Sequence, residues 1–208
     1  MKLKKSDIIV SLIIGEAAGW LLLVVIKNIS LTFPAISVVP LWIWPVSFPF
    51  FCLIWFLFAF LLSKKWLVFY QAAKFVLVGG LNFLVDLGVL NLLIFLTSIA
   101  SGWLFSFFKG ISFAVAVLNS YFLNKFWTFK RGTADQSAGK IGKEFLSFII
   151  ISLIGLGLNN LIASLVVNWL GPQWGLTEEL WANIGAVTAS FLAMFWNFVG
   201  YKFIVFKK

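Results

Sequence analysis

Two carboxylates interrupt long apolar runs: Asp86, in FVLVGGLNFLVDLG from Phe75, and Glu16, in SLIIGEAAGWLLL from Ser11. An ionised carboxylate at the centre of a bilayer costs about 2.5 to 3.5 kcal/mol on insertion scales, so each must face protein or water, or keep its proton. Such groups grip a hydroxyl or carry a proton, and Glu16 and Asp86 share a mid-span depth with no basic residue beside them. Gly79, Asn82 and Asp86 lie at i, i+3 and i+7 on one helical face, and Ser152, Gly155 and Asn159 present the same places 73 residues later. Ser112, Ala116 and Asn119 share a second face, flanked by Ser120 and Asn124, with Asn197 matching Ser120 further on. Lys125 and Lys202 each close an apolar run, where an ammonium pairs with phosphate while its stem lies against lipid.

Each of these residues also has a plainer use. Small residues let helices approach and Asn or Asp bonds a neighbouring helix, which accounts for Asn82 and Asn159 as readily as a ligand does. Gly15 and Gly19 bracket Glu16 as a close-packing pair, so Glu16 reads either as a buried, protonated hydrogen-bond donor or as a proton carrier. Lys125 and Lys202 serve equally as anchors to ordinary lipid phosphate.

Much chemistry is excluded by what the chain lacks. With no His and one Cys, Cys52, the usual zinc, haem and iron-sulfur ligand sets and any intrachain disulfide are missing, so no metal or cofactor is expected. No cluster of Ser, Cys, Lys and carboxylate resembles a group-transfer site, and the expectation is a protein that is not an enzyme.

The elements that must position these residues are membrane spans. Of 208 residues 62% are hydrophobic and only 11% charged, and the mean hydropathy is +1.05. That is too little polar surface to clothe a water-soluble core. The 25 Phe and 11 Trp fit lipid-facing helices rather than the alternating strands of a barrel. A helical span needs roughly 20 apolar residues, and six stretches qualify: 8 to 26, 43 to 62, 75 to 96, 106 to 126, 146 to 169 and 181 to 201. The expected fold is all-α, with six transmembrane helices and both termini cytoplasmic.

Sorting Lys and Arg by side carries the orientation, because basic residues stay on the cytoplasmic face. One face gathers Lys2, Lys4, Lys5, Lys64, Lys65, Lys74, Lys125, Lys130, Arg131, Lys140, Lys143, Lys202, Lys207 and Lys208; the other has Lys27 and Lys109. The net charge of +9 is thereby read as topology, not nucleic-acid binding. Trp42, Trp44, Trp103, Trp169, Trp174 and Trp181 fall at the outer boundary and Trp66 and Trp127 at the inner one, as an aromatic belt. The basic start before an apolar run is read as a retained span rather than a cleaved signal, since Glu16 interrupts it. The connections Lys27 to Leu41, with Pro34 and Pro40, and Arg131 to Lys143 are too short to fold alone.

The chain also repeats. FVLVGGLNFLVDLG aligns with FIIISLIGLGLNNL from Phe148, placing Asp86 on Asn159, and SYFLNKFWTFK aligns with NFVGYKFIVFK at an offset of 77, placing Lys125 on Lys202. A two-span unit re-enters the membrane in the same orientation, so residues 74 to 130 and 145 to 208 are expected to be parallel copies of one hairpin. Residues 1 to 65 form an added N-terminal hairpin beside a four-helix domain over 66 to 208, and Asp86 is expected to face Asn159 across the axis relating the copies.

KFVLVGGLNFLVDLG followed by ISFAVAVLNSYFLNKFWTF resembles the GtrA-like family, small four-span proteins also found fused to polyprenyl-phosphate glycosyltransferases. Lys125 stands where that family usually has Arg, and Tyr201 and Ile204 stand where Asn and Trp are usual. The resemblance implies movement of a polyprenyl-phosphate-linked sugar across the cytoplasmic membrane, or help in moving it, for cell-envelope glycan modification. Its expected partners are that lipid-linked sugar, membrane lipids, a glycosyltransferase and a second copy of the chain, with no nucleic acid. Asn82, Asp86, Asn119, Asn124, Lys125, Asn159, Asn197 and Lys202 are then the candidate substrate contacts. Two other roles stay open: an anchor docking a glycosyltransferase, and a proton-coupled solute transporter using Glu16 or Asp86.

Overall fold

The computed structural model describes residues 4–32, 40–63, 67–99, 102–129, 138–175 and 178–207. Among them run six α-helices: α1 Lys5–Thr32, α2 Ile43–Leu62, α3 Leu67–Thr97, α4 Gly102–Leu123, α5 Ala138–Ser164 and α6 Glu178–Gly200. The last three continue without a break into π-helical segments at Asn124–Thr128, Leu165–Leu170 and Tyr201–Val205. Helix is the form in which a chain this apolar satisfies its own N–H and C=O groups away from water.

By length and apolarity α1, α2, α3, α5 and α6 qualify to cross a membrane. The chain is therefore an integral, multi-pass membrane protein. The expected span 106 to 126 falls on α4 and its π-helical continuation, which is not one of the five. Helices α1 and α3 overrun their apolar stretches; α3 begins at Leu67 rather than 75, because Gln71 and Lys74 interrupt the apolar run without interrupting the helix. Lys2, Pro34, Lys64, Lys65, Trp66, Lys130, Arg131 and Lys208 lie outside the described residues, as do the side chains of Lys27, Trp103, Lys109 and Trp181.

The chain divides into two compact units, residues 1–130 and 131–208. In the first, α1 and α2 are antiparallel and meet at their smallest residues. A Cβ added to Gly15 would lie 2.5 Å from the Cα of Pro49, and one added to Gly19 2.6 Å from that of Pro45. The close-packing role expected of Gly15 and Gly19 is thus met by two prolines at matching four-residue spacing. Ile14 and Ala18 carry the other edge of α1 into a core with Val78, Leu81 and Leu84 of α3 and with Trp127. The N-terminal hairpin therefore shares a core with α3 and the end of α4.

The start of α1, the end of α2, the start of α3 and the end of α4 gather at one end of this unit. Asp7 meets Lys74 and Trp127 there, and Phe60 lies 5.9 Å from Tyr70. The four helices thus alternate in direction. In the second unit α5 and α6 form a hairpin in which Phe148 stacks on Tyr201 with ring centroids 4.2 Å apart, while the small Ala189, Ala193 and Gly200 of α6 are buried. Trp44 is half-buried, and Trp42, Trp169 and Trp174 are exposed. Trp127 is not: it is buried, because its indole N–H reaches an internal acceptor.

Candidate functional site

In the first unit, the polar face of α3 is turned toward α4. Ser112 Oγ donates to Asp86 Oδ1 at 2.6 Å, and about two turns along, Asn119 Nδ2 donates to Asn82 Oδ1 at 2.7 Å. Ser112 and Ala116 are fully buried on this face, whereas Asp86, Asn82 and Asn119 are half-buried. Gly79 departs from the expected seam: it is exposed, and a Cβ there would meet nothing within 4 Å. Its spacing from Asn82 puts it at the margin of the contact stripe, where packing does not require glycine.

The second unit carries its own version of the seam between α5 and α6. Asn159 Nδ2 donates to Ser190 Oγ at 3.2 Å, Ser152 Oγ bonds Tyr201 Oη at 2.6 Å, and Trp196 Nε1 donates to the carbonyl of Ile151 at 3.2 Å. Gly155 makes room here for the Asn197 side chain, whose amide would have to shift to admit a Cβ. In one hairpin an Asn on the earlier helix meets an Asn on the later one; in the other, a glycine admits the later helix's Asn alone.

Several buried amide and hydroxyl atoms are left over. Asn82 Nδ2, Asn124 Oδ1, Thr128 Oγ1 and Asn197 Oδ1 have no hydrogen-bond partner among the described residues. Each such atom costs about 1–3 kcal/mol in desolvation until something bonds it. Asn124 uses its other end to bond the carbonyl and Oγ of Ser120, at 2.9 and 3.3 Å.

Asn124 also opens the π-helical segment that ends α4, and Tyr201 opens the one that ends α6. The two segments have the same length and the same closure, Phe129 N–H to the Asn124 carbonyl and Phe206 N–H to the Tyr201 carbonyl. Lys125 and Lys202 occupy the second position of each. Their settings differ. Lys125 is 1% exposed, donates to Tyr121 Oη at 3.0 Å and lies over the Tyr121 ring. It is a buried ammonium instead of the headgroup-level anchor expected. Lys202 is half-exposed, between the rings of Phe198 and Phe203.

Glu16 is exposed and accepts a 2.7 Å bond from Trp20 Nε1. The expected buried position is not found: with Gly15 and Gly19 turned toward α2, Glu16 between them points away from it.

The most densely bonded polar cluster was not legible from spacing. Asp7 and Lys74 form a 2.8 Å ion pair with both side chains 1% exposed. Trp127 Nε1 donates to the same carboxylate oxygen at 3.1 Å and Tyr70 Oη to the other. Lys74, expected only as a topogenic charge, is buried here because its counter-ion arrives from a helix 67 residues earlier. One signal was available: Asp7 is an acid placed just after Lys4 and Lys5 at the head of an apolar run.

No solved structure matches the chain. A sequence profile described as "GtrA/DPMS, transmembrane domain" matches residues 74–206, a span that takes in both polar seams and both lysine-bearing π-helical ends. Since that match covers more than half of the chain, this membrane protein belongs to the GtrA/DPMS transmembrane-domain family.

Proposed function

We propose that this GtrA-family protein moves a polyprenyl-phosphate-linked sugar across the cytoplasmic membrane, or assists its movement, for cell-envelope glycan modification. The observation that carries this reading is the α3–α4 seam: Asn82–Asn119 and Asp86–Ser112 bonds, half-buried, with Asn82 Nδ2 left as a donor and Asn124 Oδ1 as an acceptor toward the cytoplasmic end. Sugar hydroxyls both donate and accept, so they suit amides and a carboxylate with bonding capacity to spare. Within the first unit Asp86 accepts a hydroxyl, Asn82 and Asn119 bind on either side of it, and Lys125 meets phosphate once its Tyr121 bond is exchanged; in the second unit the half-exposed Lys202 is a phosphate contact of its own. The prenyl chain stays in lipid along exposed side chains such as Phe83, Leu118 and Phe122.

The reading includes six spans, both termini cytoplasmic, and two parallel hairpin copies. It is supported by the alternating direction of α1 to α4 and by the matching π-helical ends 77 residues apart. It assigns no group-transfer chemistry to the chain. Asp86→Asn keeps shape and most bonding but removes the titratable proton. Binding of a polyprenyl-phosphate-linked sugar to the purified protein should fall several-fold in Asp86→Asn, with thermal stability retained. Unchanged binding across a pH series would remove Asp86 from the substrate path and return it to packing.

A further inference from the structure

Three donors from two elements converge on the Asp7 carboxylate. Lys74 Nζ lies 2.8 Å and Trp127 Nε1 3.1 Å from one oxygen, and Tyr70 Oη bonds the other. The ammonium also sits over two aromatic faces, 4.4 Å from the Tyr70 centroid and 5.1 Å from that of Trp127. Phe56, fully buried, stands against both rings. An ammonium and two neutral donors aimed at one point is a constellation that binds an oxyanion, and nothing in it is particular to a carboxylate. Phosphate carries more oxygens and more charge than aspartate, so it competes for the same donors.

The group now filling the cradle is attached to a part of α1 that can let go. Asp7 lies in the first turn, beside the exposed Lys4, Lys5 and Ser6, whereas the body of α1 is clamped through Gly15 and Gly19 on Pro49 and Pro45. Helix ends open more readily than packed segments, and a phosphate that takes over the donors of Asp7 offsets the cost of releasing the carboxylate. Unwinding that turn removes the carboxylate and leaves Lys74, Tyr70 and Trp127 in place, since they belong to α3 and the end of α4.

We propose that Lys74, Tyr70 and Trp127 form a phosphate-binding cradle that the Asp7 carboxylate occupies as an internal stand-in, opened by unwinding of the first turn of α1. The cradle is separate from the Asn82–Asp86 seam, and the proposal does not depend on sugar translocation. Two of its residues, Asp7 and Tyr70, lie ahead of the matched span 74–206.

The test uses the full chain in detergent, its melting followed by dye labelling of the buried Cys52. Asp7→Ala should gain roughly 5 to 10 °C in Tm from inorganic phosphate at about 100-fold its Kd, relative to chloride of equal ionic strength. Adding Lys74→Gln should abolish the gain, and wild type should respond much less because Asp7 competes. The second arm needs no variant. Hydrogen exchange of residues 5–11 in wild type should quicken in phosphatidylcholine vesicles containing phosphatidic acid, relative to phosphatidylcholine alone. A response to inorganic phosphate identifies a free-phosphate site, and a response confined to phosphatidic acid identifies a lipid headgroup site. If neither arm responds, or if the Asp7→Ala gain survives Lys74→Gln, the cluster is an ordinary structural ion pair and the proposal is wrong.

Discussion

Lys74→Met should be among the most damaging single substitutions in the protein. Two unit charges 2.8 Å apart attract by about 6 kcal/mol at an effective dielectric of about 20, and removing both from water takes most of that back. Deleting one partner is a different matter. It leaves a buried carboxylate, bonded by Tyr70 and Trp127, without the Lys74 ammonium, and such truncations cost about 3–5 kcal/mol. That is a large share of the roughly 5–15 kcal/mol that holds a typical domain folded. Asp7→Leu with Lys74→Met replaces the pair by apolar groups of similar size and should cost far less than the sum of the single changes, giving a coupling of about 2 kcal/mol or more. Tyr70→Phe removes one donor to a charged acceptor and should cost about 1.5–3 kcal/mol. Denaturant titrations read through the accessibility of Cys52, which is buried on α2 in the same unit, give all four values. A loss below about 1 kcal/mol for Lys74→Met, the range of an exposed pair, would refute the burial on which the reasoning rests.

Further outcomes follow from the same contacts. Gly15→Ala drives a Cβ into the backbone of Pro49 and should cost about 1–3 kcal/mol, whereas Gly80→Ala enters open space and should stabilise α3 by up to about 1 kcal/mol; thermal melts of the two variants should move in opposite directions. Lys202→Gln should weaken polyprenyl-phosphate binding with little change in melting temperature, while Lys125→Gln should lower the melting temperature as well, because its ammonium is buried against Tyr121. In a Cys52→Ser background, an impermeant thiol reagent should label Gln173→Cys from outside intact cells and Ser137→Cys only after lysis; the reverse pattern would invert the topology.

The helices were legible because the signal for a span is long and one-dimensional. The second run, 43 to 62, coincides with α2, while α1 and α3 extend past their apolar stretches into polar turns that hydropathy does not score. Faces were legible where spacing alone decides them: Ser112 and Asn119 meet Asp86 and Asn82 as helical periodicity requires, and Gly15 with Gly19 admits another helix. What spacing does not carry is which partner a charge finds. Lys74 reads like any inner-face lysine until α1 folds back and brings Asp7 to it. Lys125 is buried against Tyr121, and Trp127 is buried because Asp7 offers its N–H an acceptor.

The central claim is that this chain carries a lipid-linked sugar across the bilayer or helps to carry it, and reconstitution tests that most directly. The purified protein is placed in liposomes with a polyprenyl-phosphate-linked sugar in both leaflets, and the fraction open to an impermeant sugar-oxidising reagent is followed over time. Wild-type protein should bring the inner-leaflet half into reach far faster than protein-free liposomes do, and Asp86→Asn should slow that phase without loss of folded protein. An inner-leaflet pool that stays protected in the presence of folded wild-type protein, with the lipid unbound, would contradict the account and leave the chain as an anchor for another enzyme.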